Sequence, residues 1–209
     1  MANQEISQSR RQEMVQTARK LFLLHGYAAT SMDKIATETG MAKQTLYNHF
    51  GNKENLFTEV IRQTAASFLI PLQDENSPLP TMLHDFGKKF RHHLLSDEGL
   101  AMYRILMAEA YRFPDLARNI YQSGPGATIH LVTQVMNKAM QEGALQPGDP
   151  QFAAEMLLSM LVGTERTLRL LGDQPANESD DEHKLAHIIQ AFMKAFAPAN
   201  QEDYQEIPS

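Results

Sequence analysis

Lys43, Gln44, Thr45, Tyr47, Asn48 and His49 crowd six hydrogen-bonding or charged side chains into seven residues. Lysine and histidine can donate to a phosphate. Glutamine and asparagine offer a donor beside an acceptor and can pair with adenine through two hydrogen bonds at once. This is the chemistry of reading a nucleic-acid groove. Two short helical patterns around Gly40 must position the run. In the first, Met32 opens a pattern that sets Ile35, Ala36 and Thr39 on neighbouring faces, and Ala36 is small enough for another helix to cross close by. Gly40 falls where that helix should end in a left-handed residue, which glycine adopts without a Cβ penalty. Met41 and Leu46 are expected to point back into a small core that Phe50 closes. Four residues from Ala36 to Gly40 and six more to Leu46 is the interval of a helix-turn-helix, whose second helix enters a DNA groove. By spacing alone an ordinary helical hairpin fits as well.

Other chemistries find less support. His183 and His187 stand at i, i+4, and His92-His93 follow His84, but neither set has a third ligand or a general base at recognisable spacing. No phosphate-cradling glycine loop or nucleophile elbow is present. With no cysteine among 209 residues, disulfides and thiolate metal sites are excluded. No enzyme activity, metal or cofactor is expected.

The run TLYNHFGNKENLF resembles the DNA-binding domain of TetR-type (TetR/AcrR) transcriptional regulators. Leu46, Tyr47, His49 and Phe50 match the family's Leu-Tyr-x-His-Phe, and Lys53, Glu54, Leu56 and Phe57 match the start of its next helix. The likeness reaches back through Ala18, Leu21, Phe22, Gly26, Tyr27, Thr30 and Met32, and so covers about the first sixty residues. Two positions depart from the pattern. Ala42 stands where serine is common, which removes a possible cap or phosphate contact. Gln44 stands where glycine is common, which adds a side chain able to reach adenine. Thr30, Lys43, Tyr47, His49 and Lys53 are the candidates for phosphate contacts, which the resemblance also implies for Tyr47 and His49. Gln44, Thr45 and Asn48 are the candidates for base edges. Partial core packing remains the alternative for Tyr47, and helix capping for His49.

Net charge, −6 overall, is misleading until the chain is divided. Through Arg62 there are eight Lys/Arg against six Asp/Glu, and from Gln63 onward eleven against nineteen. The basic excess coincides with the helix-turn-helix, and the acidic remainder would be repelled by phosphate. Hydrophobic content of 43% suffices for a core. MANQEISQSRRQE does not read as a secretory leader, and no apolar run approaches the ~20 residues of a membrane span. A soluble, cytoplasmic protein with no membrane partner is expected.

Every periodic segment reads as helix, so the expected fold is all-α with about nine helices. The first spans 8–25, with Met14, Ala18, Leu21 and Phe22 on one face, and Thr30 starts the second. The fourth spans 53–70, the fifth ends near Leu95, and the sixth runs over 98–112. A seventh from Asp115 breaks at Gly124-Pro125-Gly126 and resumes to about Gln141. Asp149-Pro150 caps an eighth to Gly172, and a ninth covers about 182–196. The expected domains are a helix-turn-helix domain over 1–53, a ligand-binding and dimerisation domain over 54–196, and a disordered tail over 197–209.

The eighth helix carries Met156, Leu157, Met160, Leu161, Leu168 and Leu171, with Gly163 read as a point of close approach. The ninth carries Leu185, Ile188, Ile189, Phe192 and Phe196. This is more apolar surface than one small domain needs, and the resemblance implies a homodimer built on these two helices. Two recognition helices about one DNA turn (~34–36 Å) apart would read a palindromic double-stranded operator. Phe86, Phe90, Tyr103, Met107, Tyr111, Met136 and Met160 are the candidate pocket for a small-molecule effector of unknown identity. Glu165, one turn from Arg169, is either an exposed ion pair or an anchor for a polar or cationic ligand group. The resemblance implies a repressor released by its effector. The alternatives are a ligand-independent DNA-binding protein or an activator, in genome organisation or stress response.

Overall fold

A computed structural model describes residues 2–74, 76–172 and 178–198. Among them there is no strand. The order is α1 (Ala2–Ala29), α2 (Met32–Thr39), α3 (Lys43–Phe50), α4 (Lys53–Leu69), a 3-10 turn (Ile70–Gln73), α5 (Leu79–Leu95), α6 (Asp97–Ala110), α7 (Pro114–Ser123), α8 (Pro125–Gln141), α9 (Pro150–Leu170) and α10 (Glu178–Ala195). The fold is all-α, as expected. The expected break in the seventh element separates α7 from α8, so ten α-helices are present among the described residues, in keeping with the expected nine once that element is counted as two. The last helix starts at Glu178, about a turn before the expected 182, and the tail from 199 onward lies outside the described residues.

The chain packs as two compact units. One holds the residues through Ser67 together with Ser96–Ala127, and the other holds Phe68–Leu95 with Thr128 onward. In the first unit, α1 supplies Met14, Ala18, Leu21 and Phe22, all 6% exposed or less, on the face the periodicity identified. They meet Ile35 of α2, Leu46 and Phe50 of α3, Leu56, Phe57 and Val60 of α4, and Leu116 and Ile120 of α7. Phe22 meets Phe57 edge-on at 4.7 Å, and Tyr27 lies 5.0 Å from Phe57 and 5.6 Å from Phe113. Such pairs add about 0.5–1.5 kcal/mol each beyond their burial. Helix α1 starts earlier than expected, but its regular part ends where expected, because Gly26 (φ 78°, ψ 168°) breaks it.

In the second unit, α5 lies against both α9 and α10. Its Leu83, Phe86 and Phe90 pack in a core with Val132, Met136, Leu157, Leu161, Leu185, Ile189 and Phe192 buried on the other helices. Gly87 permits the close crossing: a Cβ there would sit 2.7 Å from Leu185 Cδ1 and 3.0 Å from Leu161 Cδ2. Around Gly163 no other part of the same chain comes within 4 Å of where a Cβ would be, its own stretch of helix aside, and its φ of 40° bends α9. Asp149 caps α9 as its sequence announced, accepting from the N–H groups of Gln151 (2.9 Å) and Phe152 (3.3 Å).

Candidate nucleic-acid interface

The turn that presents α3 is a Schellman motif. Gly40 is left-handed (φ 65°, ψ 16°), its N–H donates to the Thr37 carbonyl at 3.2 Å, and the Met41 N–H donates to the Ala36 carbonyl at 3.1 Å. Leu46 is fully buried and Phe50 nearly so, which orients the helix and leaves Lys43, Gln44, Tyr47 and Asn48 exposed. Thr45 and His49 are half-buried at the margin. Ala42 precedes α3 without any side-chain cap, so the first N–H groups of the helix have no side-chain acceptor and suit a phosphate oxygen.

Several of these groups are paired within the chain. Lys43 Nζ lies 2.5 Å from Asp33 Oδ1 of α2, and that hydrogen bond raises its pKa. Gln44 Nε2 donates to Asn48 Oδ1 at 2.9 Å, one helical turn on. The two candidate base readers are therefore hydrogen-bonded to each other. Tyr47 is 38% exposed, with Lys43 Nζ 5.8 Å from its ring centre, so the ring is part packing and part surface.

Thr30 is placed differently from the expectation. It is 1% exposed, and its hydroxyl is held between the carbonyls of Gly26 (2.8 Å) and Leu21 (3.1 Å). Ser31, not Thr30, caps α2, accepting from the Lys34 N–H at 3.2 Å. Thr30 thus locks the end of α1 onto the turn, while exposed Ser31 and Lys34 hold the surface position. The Thr-Ser pair could signal a cap, but only tertiary burial tells which member turns inward. Lys53 is also committed: its ammonium donates to the Tyr27 carbonyl at 2.9 Å and sits 4.2 Å over the Tyr27 ring. Burial lowers the Lys53 pKa, and burial first, then Glu54 and Glu109, pushes the Tyr27 hydroxyl up to about 12.

Beneath this surface, Glu59 of α4 is 8% exposed and bonded by Arg11 (2.6 Å), Arg62 (2.7 Å) and Gln63 (2.9 Å). Burial alone would raise its pKa, but the hydrogen bonds from Arg62, Arg11 and Gln63 prevail and bring it to about 2. Arg11 also lies 5.0 Å over the Phe50 ring, so one ion cluster ties α1 and the end of α3 to α4.

The eight candidate effector residues divide between the two units. Phe86, Phe90 and Met136 are buried core of the second unit, and Met160 is half-buried there. Tyr103, Met107 and Tyr111 belong to the first unit, where Tyr111 is 96% exposed and Met107 55%. None lines the open groove of about 490 Å3 bounded by Pro80, Thr81, His84, Ala186, Ile189, Gln190 and Met193. Glu165 faces inward, but cations already surround it. Its Oε1 accepts from Arg169 at 2.5 Å, and its Oε2 from Lys184 at 2.7 Å and Arg91 at 2.8 Å. Burial would raise its pKa, yet Lys184, Arg91 and Arg169 bring it down to about 2. Arg91 is 1% exposed, and nothing local in the sequence marks this arginine as buried.

His183 and His187 are both exposed on α10, and no group of three metal-ligating side chains occurs among the described residues. No helix among them is long and apolar enough to cross a membrane.

Comparison with known proteins assigns both parts of the chain. Residues 15–60 match the family model of bacterial regulatory proteins of the tetR family, and residues 81–198 match that of the AefR-like transcriptional repressor C-terminal domain. The flavonoid-responsive regulator FrrA is 34% identical, with a TM-score of 0.73 over 91% of this chain and 98% of its own. A TetR-family regulator structure from Mesorhizobium loti is 28% identical, with a TM-score of 0.77 over 91% and 98%. The transcriptional repressor AcnR of Corynebacterium diphtheriae is 31% identical over 96 residues, 46% of this chain, which spans 50% of that relative's length.

Proposed function

The chain belongs to the TetR family of DNA-binding transcriptional regulators, and from that premise we propose that it is a repressor released from DNA by a small-molecule effector. It binds a palindromic operator as a homodimer, with residues 1–53 reading DNA and 54–196 sensing the effector and pairing two copies. The observation that carries the reading is α3 itself. A helix anchored by Leu46 and Phe50 displays Lys43, Gln44, Tyr47 and Asn48 outward from a glycine turn. Lys43 and Tyr47 meet phosphates with the uncapped N–H groups of α3. Gln44 and Asn48 exchange their mutual hydrogen bond for base edges.

The dimer reading is supported by what the last helices leave uncovered. Leu157, Leu161, Leu185, Ile189, Phe192 and Phe196 are core within the chain, whereas Phe152, Leu168 and Leu171 are 60%, 49% and 81% exposed. An effector acts if it binds better to a conformer whose recognition helices are mis-spaced. FrrA is described as flavonoid-responsive, which makes planar aromatic flavonoids the first effector class to try.

The test is selection from a random duplex pool at stated salt. A palindrome with half-sites about one turn (~34–36 Å) apart is expected. A folded protein that enriches no motif overturns the operator reading. The recovered duplex then serves as the probe for release by flavonoids and other small molecules.

A further inference from the structure

Helix α9 is not a straight rod. Gly163 interrupts it at φ 40°, ψ −138°, a conformation strained for any residue with a Cβ. Next to the break a guanidinium enters: Arg91 of α5, almost wholly buried, donates through Nη1 to the Leu161 carbonyl. Through Nη2 the same side chain holds Glu165, just past the bend, at 2.8 Å and Asp181 of α10. Arg169 adds a bond to Glu165 at 2.5 Å and another to the Leu95 carbonyl, the last residue of α5, at 3.0 Å. From Gly163 to Gly172 no residue is buried. The outer arm of α9 is therefore fastened by ions and hydrogen bonds, with only half-buried side chains such as Leu170 beside them.

We propose that Gly163 is a joint in α9, that Arg91 is the latch holding the arm 164–171 in its bent direction, and that the arm so held offers Leu168 and Leu171 to a second copy of this chain. The second copy rests on the homodimer reading above, which places this helix at the interface, and Leu168 and Leu171 are exposed apolar side chains on its outer arm. Arg91 is a positioning residue. It reaches three acceptors on two helices at once and touches no exposed surface, so it sets the arm's direction without being part of the interface. The joint lets the arm move, and the latch makes its position sensitive to whatever disturbs the ion cluster, salt included.

The chain has no cysteine, which allows a direct measurement. Glu155→Cys and Leu171→Cys, one on each side of the joint, carry spin labels in a chain diluted into unlabelled protein. Pulsed dipolar spectroscopy then reads the distance within one copy. Sixteen residues of unbroken helix would separate the two backbones by about 24 Å. The parent should give a shorter, narrow distribution, Gly163→Ala a longer one nearer the straight value, and Arg91→Met a broad one. Sedimentation of the unlabelled Gly163→Ala and Arg91→Met chains should show a dimer dissociation constant at least tenfold weaker, with Arg91→Lys intermediate. A straight parent helix, or a bend unchanged in Arg91→Met, overturns the joint and latch. An unchanged dissociation constant in a straightened variant overturns the link to the second copy. A chain that stays monomeric with a bent arm overturns the homodimer reading and that link together, while the joint and latch stand. Should Arg91→Met fail to fold, Asp181→Asn removes one partner of the latch at a half-exposed position and carries the same comparison.

Discussion

Replacing Glu165 by glutamine keeps the size and one acceptor oxygen but removes the charge that three cations share. The carboxyl is 12% exposed, and its pKa falls from the ordinary 4.5 to about 2 in the folded chain. At about 1.4 kcal/mol per pKa unit, that difference is worth about 3 kcal/mol of folding stability, or about 2 once solvent screening at half-exposed Lys184 is allowed for. The sign follows from the direction. A carboxyl with a depressed folded pKa stabilises fully above its unfolded pKa, and the contribution drains away as pH falls from near 5 through the folded value of about 2. Urea unfolding of parent and Glu165→Gln chains at equal concentration, at pH 7, 5, 4 and 3, measures the gap at each pH. It should be about 2–3 kcal/mol at pH 7 and shrink steadily below pH 5. A gap under about 0.5 kcal/mol at pH 7, or one that persists undiminished at pH 3, refutes the ion-cluster reasoning. Loss of response to a cationic effector without loss of stability would instead return Glu165 to the role of ligand anchor.

Asp33→Asn releases Lys43 from its ion pair on the DNA-facing surface, and gel-shift titration at low salt should show tighter operator binding with a steeper salt dependence, by about one unit of slope. A weaker or unchanged complex would mean that Lys43 does not reach phosphate. Tyr47→Ala should weaken operator binding tenfold or more and leave the sedimentation coefficient of the dimer unaltered, and an undiminished affinity would sink the assignment of α3 as the reading helix. Thr30→Val should lower the unfolding free energy by about 1–2 kcal/mol through the lost bonds to Gly26 and Leu21, with DNA affinity of the folded protein preserved. A selective loss of DNA affinity would show the hydroxyl serving phosphate after all.

Much of this protein was legible locally. The Gly40 turn and the Asp149-Pro150 cap each draw on interactions within a few residues, and so does the α1 face of Met14, Ala18, Leu21 and Phe22. Residue types and intervals are enough to read such features. The outward face of α3 was legible for the same reason, since burying Leu46 and Phe50 leaves the intervening residues no other direction.

What the sequence withheld involves partners far apart along the chain. Whether Thr30 or Ser31 faces solvent depends on the carbonyl of Leu21, nine residues back. Lys43 meets Asp33 only because the turn brings α2 and α3 together, and Lys53 meets Tyr27 across twenty-six residues. Arg91 finds Leu161 and Asp181 seventy and ninety residues away, and Gly87 matters only because Leu161 and Leu185 converge on it. Sequence by itself determined the helices, the turn that presents α3 and the chemistry of its exposed face. Tertiary structure alone decided which polar side chains far apart along the chain are paired, because a hydrogen bond or ion pair forms wherever packing leaves two groups within about 3 Å, however many residues separate them.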